Sequence, residues 1–258
     1  MILVLGGTTE GRQVAAELAA RGLRVMVSTA TPYGGELLSG CGARIITGPL
    51  NLEGLLEIIR GHKVRLLVDA THPFACRISD LACRACAVTG IPYLRLQRAE
   101  SALPSSHLVY RVRDYEEASR KATELGRTIF LATGSKSLPV FLDAARQRGC
   151  RIIVRVLPEP EVLQRCRQLG LKPADIVAMQ GPFGRELNRA LFRHYRVDVV
   201  VTKNSGDAGG TASKVEAALE LNIPVVVIDQ PRPAPGEAVH SLADLIDRII
   251  QIERSVEG

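Results

Sequence analysis

Tryptophan is absent from the chain, and with five phenylalanines and five tyrosines aromatics reach only 4% of residues. Flat side chains are too few for the stacking platforms that single-stranded nucleic acids use, and the arginines are scattered rather than gathered into a stripe. Nucleic acid is therefore not an expected partner. Also lacking is any uninterrupted apolar run of the roughly eighteen residues that a membrane-spanning helix needs. The start, Met1 to Leu5, reads as an apolar strand entering a glycine turn, not as a basic leader with a cleavage site. No membrane association is expected, and the cytoplasm is the expected compartment. Cysteine is sparse as well: Cys41, Cys76, Cys83, Cys86, Cys150 and Cys166 are too few to scaffold a chain this long with disulfides.

What is present is apolar and regular. Hydrophobic residues make up 46% of the 258, enough for a substantial core, and the net charge of +6 leaves an anionic small molecule, rich in carboxylates or phosphates, as an open partner. Short β-branched runs alternate with amphipathic stretches, the rhythm of an α/β fold with mainly parallel sheets. The first half reads as strands 2–5, 24–28, 44–47, 66–69 and 93–95 with helices 10–21, 52–60 and 74–89 between them. A stretch without periodicity, Leu96 to Ser106, carries Pro104 and reads as a crossover between domains. Beyond it the pattern predicts strands 108–112, 128–132, 151–156, 175–179, 197–202 and 224–228, with helices 115–125, 138–148, 161–169, 185–194, 212–221 and 242–254. The expectation is two Rossmann-like, doubly wound domains, residues 1–98 and 99–258. In such folds ligands sit at the carboxyl ends of strands, so the loops that follow strands are where chemistry is sought.

Gly6-Gly7-Thr8-Thr9-Glu10-Gly11-Arg12 follows the first strand and opens a helix, the setting of a dinucleotide-binding turn. Gly6 and Gly11 match the outer glycines of the fingerprint, whereas Thr8 stands where the middle glycine usually does, leaving Gly7 to allow close backbone approach. A tight turn without a ligand is the alternative. The second strand ends in Ser28 and Thr29, followed by Thr31, with no carboxylate to repel a 2′-phosphate, which favours NADPH over NADH. Arg12 is a candidate partner for that phosphate.

The fourth strand ends in Asp69-Ala70-Thr71-His72-Pro73, which places a carboxylate, a hydroxyl and an imidazole at a strand end. His72 can bind cofactor or substrate or relay a proton; alternatively Thr71 or Asp69 caps the next helix and His72 packs. Cys76, Cys83 and Cys86 fall on one predicted helix and cannot wrap one ion, so no metal site is expected. In the second half, Gln180-Gly181-Pro182-Phe183-Gly184 and Thr202-Lys203-Asn204-Ser205-Gly206-Asp207-Ala208-Gly209-Gly210-Thr211 each join a strand to a helix. Lys203 can clamp an anion or, with its pKa lowered by burial, give up a proton; a solvated lysine is the alternative.

GGTTEGR, DATHPFA, MQGPFG and VTKNSGDAGGTASKVEAA followed by IPVVVIDQP, in this order and spanning nearly the whole chain, resemble the precorrin-6A reductases. The resemblance implies two Rossmann-like domains with a cleft between them, NADPH as hydride donor, and a polycarboxylated corrin precursor as substrate in cobalamin biosynthesis. On this reading we expect Gly6 through Arg12, Ser28, Thr29, Thr71 and His72 to hold the cofactor. Gln180, Gly181, Pro182, Phe183, Thr202, Lys203, Ser205, Gly206 and Gly210 fall to the substrate, with Lys203 and His72 as catalytic candidates. A dinucleotide-sensing module without turnover and a two-domain transferase are the rival readings, because fold alone does not decide function.

Overall fold

The computed structural model describes residues 1–232 and 236–257. The elements run β1 (Ile2–Leu5), α1 (Thr9–Ala20), β2 (Val25–Thr29), α2 (Pro32–Glu36), β3 (Arg44–Thr47), α3 (Leu52–Gly61), β4 (Leu66–Asp69), α4 (Cys76–Thr89) and β5 (Tyr93–Leu96). They continue with β6 (Val109–Val112), α5 (Tyr115–Leu125), β7 (Thr128–Ala132), α6 (Leu138–Arg148), β8 (Arg151–Val156), α7 (Pro160–Gln168), β9 (Ile176–Ala178) and α8 (Arg185–His194). The last are β10 (Val199–Lys203), α9 (Thr211–Leu219), β11 (Val225–Ile228), β12 (Glu237–Val239) and α10 (Leu242–Glu257).

The chain forms two units, residues 1–99 together with 232–258, and residues 100–231. The return of the C-terminal segment to the first unit departs from the expected division, which gave residues 99–258 to one domain. Its physical reason is twofold. Strand β12 extends the first sheet by pairing with β5, and α10 buries Leu245, Ile246 and Ile249 against that sheet's core. Two short elements, α2 and β12, stood outside the expected pattern.

In the first unit the strands lie in the order β3-β2-β1-β4-β5-β12, all parallel. The central strands are buried on both faces, as parallel sheets require. Alternate residues divide between two cores. Ile2, Val4, Val25, Val27, Leu66 and Val68 pack with Val14 and Leu18 of α1, and Leu3, Leu5, Met26 and Leu67 pack with Leu55 of α3 and Ala82 of α4. In the second unit the order is β9-β8-β7-β10-β11-β6, again parallel throughout. Phe130, Val200 and Val225 there meet Phe192 of α8 and Val215 of α9. Each sheet thus reverses its winding once, between β1 and β4 and between β7 and β10, and those points mark where a ligand crevice opens at the carboxyl edge. Among the described residues, no helix is long and apolar enough to cross a membrane.

Candidate functional site

At the reversal of the first sheet, Gly6, Gly7 and Thr8 make the whole turn from β1 to α1. A Cβ on Gly11 would stand 2.9 Å from the Gly6 Cα, so strand and helix meet at backbone contact and only glycine fits. Gly7 is exposed, with φ +102° and nothing within 4 Å of where a Cβ would be, which leaves its backbone open to a close-approaching phosphate. Thr8 is the N-cap of α1: its hydroxyl accepts from the Gly11 amide at 3.0 Å and donates to the Ala70 carbonyl at 2.8 Å. It ties the β1 and β4 loops together, and so shapes the crevice. Thr9 accepts from Arg12 at 3.1 Å. Glu10 pairs with Arg98 at 2.5 Å, a basic partner that the sequence pattern did not single out. Its charge offsets an acid that would otherwise face an incoming phosphate at the amino end of α1.

The ends of β2 and β4 are more inward than expected. Ser28 and Thr29 are buried, and the Thr29 hydroxyl donates to the Thr31 carbonyl at 3.1 Å, so its proton goes to the chain's own turn. Thr31 in turn caps α2, accepting from the Gly34 amide. Asp69 is fully buried and accepts from the Thr71 amide at 3.0 Å, the Thr71 hydroxyl at 2.7 Å, the Tyr93 hydroxyl at 2.8 Å and the Arg95 guanidinium. Burial and this carboxylate push the Tyr93 phenol upward. Neither Asp69 nor Thr71 caps a helix: α4 begins only at Cys76, behind a turn at Pro73 and Phe74, and Ala75 at its N-cap makes no side-chain bond. His72 is half-buried, and its Nδ1 accepts from the Phe74 amide at 3.2 Å. In the neutral ring the proton therefore sits on Nε2, which is a donor. Cys86 on α4 is buried, its thiol pushed up to about 12 by desolvation, as befits a packing residue.

The second sheet carries charge at the corresponding place. Lys203 ends β10, and burial first, then the neighbouring Lys136, lowers its pKa to about 8. The loop beyond it is closely tied: the Thr211 hydroxyl donates to the Lys203 carbonyl at 3.1 Å and accepts from the Ser205 amide at 3.2 Å. Gly210 has φ +64° at the N-cap of α9, a conformation that suits glycine. Thr202 is fully buried in a central strand, with its hydroxyl on the Lys203 carbonyl, and lies beneath the loop rather than on its surface. Asn204 is also fully buried and holds the Ser101 amide at 3.0 Å.

Three further residues gather around these loops. Arg155, near the end of β8, donates to Asn188 Oδ1 at 2.8 Å and lies 4.5 Å from the Phe183 ring centre and 5.6 Å from that of Phe130. Asn188, fully buried, donates to the Phe183 and Gly184 carbonyls and so holds the Gln180–Gly184 loop, with its cis Gly181–Pro182 bond, against Arg155. Lys214 of α9 donates to the Gly209 carbonyl at 2.9 Å, and burial together with Arg155 and Lys203 lowers its pKa to about 7. Arg155 and Lys214 line a cavity of about 190 Å³ with Gly134, Gly181, Phe183 and Gly210. A larger depression of about 640 Å³, around Glu124, Arg127 and Arg148, lies at the amino ends of β7 and β8, away from the strand ends where chemistry collects. Thr133-Gly134-Ser135-Lys136-Ser137, between β7 and α6, is the second sheet's counterpart of the first glycine turn, and sequence reasoning passed over it.

Two doubly wound parallel sheets, one opening on a glycine-rich dinucleotide-type turn and the other on a cationic loop cluster, define a two-domain α/β protein of the kind that uses a nucleotide cofactor. Comparison narrows the class. The chain belongs to the precorrin-6x reductase CbiJ/CobK family, whose model matches residues 1–250. It is 36% identical over 256 residues to a cobalt-precorrin-6A reductase of Priestia megaterium, covering 99% of this chain and 100% of the relative. A precorrin-6A reductase of Rhodococcus erythropolis is 35% identical, covering 95% of each chain. The solved structure of a CobK precorrin-6A reductase superposes with a TM-score of 0.81 at 28% identity, over 97% of this chain and 96% of that one.

Proposed function

We propose that the chain reduces the macrocycle of precorrin-6A, or of its cobalt complex, in cobalamin biosynthesis, with NADPH as the reductant. The observation that carries this reading is the reductase family match over residues 1–250, which includes the glycine turn at β1. Membership of a reductase family implies a nicotinamide cofactor, and the first unit fits one. The open Gly7 backbone and the amino end of α1 suit a pyrophosphate, and β2 ends without a carboxylate. Gly6 to Arg12 with Ser28 and Thr29 are assigned to the cofactor; Thr8, by its bonds to Gly11 and Ala70, acts by shaping the turn.

A nicotinamide cofactor held by the Gly6–Arg12 turn would supply a hydride to one carbon of the macrocycle. The chain's own task is then to bind, to orient and to deliver a proton to the adjacent carbon. His72, with Nε2 as donor, orients a carbonyl or carboxylate at the first crevice. Lys203 is the proposed proton donor: a pKa of about 8 keeps most of it protonated near neutrality while making the proton easier to release than from a solvated lysine. The substrate loops are Gln180 to Phe183 and Lys203 to Gly210.

Anaerobic NADPH oxidation with precorrin-6A and then its cobalt complex tests the reading. Loss of the nicotinamide absorbance together with a spectral change of the macrocycle is expected. Tight NADPH binding with no oxidation by either macrocycle overturns it.

A further inference from the structure

The second sheet buries two cations that the fold itself gives no reason to bury. Arg155 and Lys214 are 9% and 6% exposed. Among the described residues neither forms an ion pair, the guanidinium makes one hydrogen bond, to Asn188, and the ammonium makes one, to the Gly209 carbonyl. A buried charge without a counter-ion is strongly disfavoured, and a bound anion is the usual compensation. The charges that act on Lys214 among the described residues are Arg155 and Lys203, both positive. Both buried groups line the same cavity.

We propose that this cavity is a receptor for a carboxylate of the macrocycle, with Arg155 and Lys214 as its two charged donors. The inference rests on the reductase reading and deepens it, since it names the groups that recognise the acidic side chains of the substrate. The geometry suits the task. Phe183 and Phe130 flank Arg155, and Asn188 fixes one edge of the guanidinium, so the remaining N–H groups keep a set direction before any ligand arrives. Gly134 and Gly210 line the cavity without side chains, which lets an acetate or propionate arm enter to the depth of the two cations. Asn188 is a positioning residue: it joins Arg155 to the Phe183–Gly184 backbone and touches no ligand itself.

The test compares Lys214→Met, which keeps most of the side-chain volume, and Arg155→Gln with the wild-type chain. Binding of uroporphyrin, an octacarboxylated porphyrin, is read by its own fluorescence; NADPH affinity is read by calorimetry; KM and kcat are taken with whichever macrocycle the wild type reduces. Loss of a charged partner is expected to weaken porphyrin binding by about tenfold or more. KM should rise in parallel and by more than kcat falls, with NADPH affinity kept within about twofold. Lys214→Met is also expected to melt above the wild type, because an uncompensated charge has gone, and it carries the test alone if Arg155→Gln does not fold. Unchanged porphyrin affinity, no porphyrin binding by the wild type, or a loss confined to NADPH, which would assign the charges to a cofactor phosphate, overturns the proposal. If the wild type reduces neither macrocycle but the variants still lose porphyrin affinity, the reductase reading falls and the receptor stands. The reverse pattern removes the receptor alone.

Discussion

Lys203 and Lys214 titrate low, at about 8 and about 7, chiefly because burial penalises the ammonium form. Their functional and structural consequences differ in sign. As the proposed proton donor Lys203 must be protonated, so turnover at saturating substrate is expected to decline above about pH 8, the value to which burial and then Lys136 lower it. Lys203→Ala should lower that turnover about a hundredfold, the usual reach of a general acid; a loss of less than about tenfold, in stopped-flow NADPH oxidation, removes the role. For stability, the folded chain holds fewer protons than the unfolded one between the folded pKa of Lys214, about 7, and the ordinary lysine value of 10.5. Stability from this group therefore rises with pH through that window, and the penalty is complete below it. Arg155 and Lys203 are the charges that face Lys214. In urea melts, Lys214→Met should surpass the wild type most at pH 6, with the gap shrinking toward pH 10. A gap independent of pH would mean that Lys214 is not the cause.

Among elements, the end of β4 shows why one strand terminus is rigid. Asp69 at the end of β4 gathers Thr71 from the loop that follows and Tyr93 and Arg95 from β5, and Arg95 also reaches Ser79 of α4. Asp69→Asn leaves the Arg95 guanidinium buried without its counter-charge, and a cost of about 3–5 kcal/mol is expected in equilibrium unfolding. A cost under about 1 kcal/mol would show that water reaches the arginine. The same scale explains what could be read from the chain. Strands β1, β4 and β11 are almost wholly Val, Ile and Leu, β2, β7 and β10 each carry an apolar run of three or more, and the helices between them bury one face, so alternation was visible. Strand β12 was not, because Glu237, Ala238 and Val239 are too few to show a period, and α2 contains two glycines that argue against a helix. Candidate site residues were legible only in the loops that follow strands, where glycines, His72 and Lys203 stand out. Arg155, Asn188 and Lys214 lie inside a strand and two helices, where a single polar residue reads as a solvated one, and only tertiary packing reveals that each is buried. Arg98 was hidden for a related reason, as its partner Glu10 is 88 residues away in sequence.

Over the whole molecule, both sheets share the order 3-2-1-4-5 of a doubly wound fold and add a sixth edge strand from opposite ends of their own segments. The second sheet takes β6, made before its other strands, and the first takes β12, made after every other strand of both sheets. Domains usually fold in the order in which they leave the ribosome. Here the order is inverted for the first unit, whose edge strand and whose Leu245, Ile246 and Ile249 are translated after the second unit. Released chains truncated after residue 231 are expected to protect residues 100–231 from protease while residues 1–99 remain open to cleavage, and protection of the first unit should require the segment through α10. The unit that begins the chain is thus completed only after the second unit has been made, so its glycine-rich turn waits on a strand and a helix that follow residue 231.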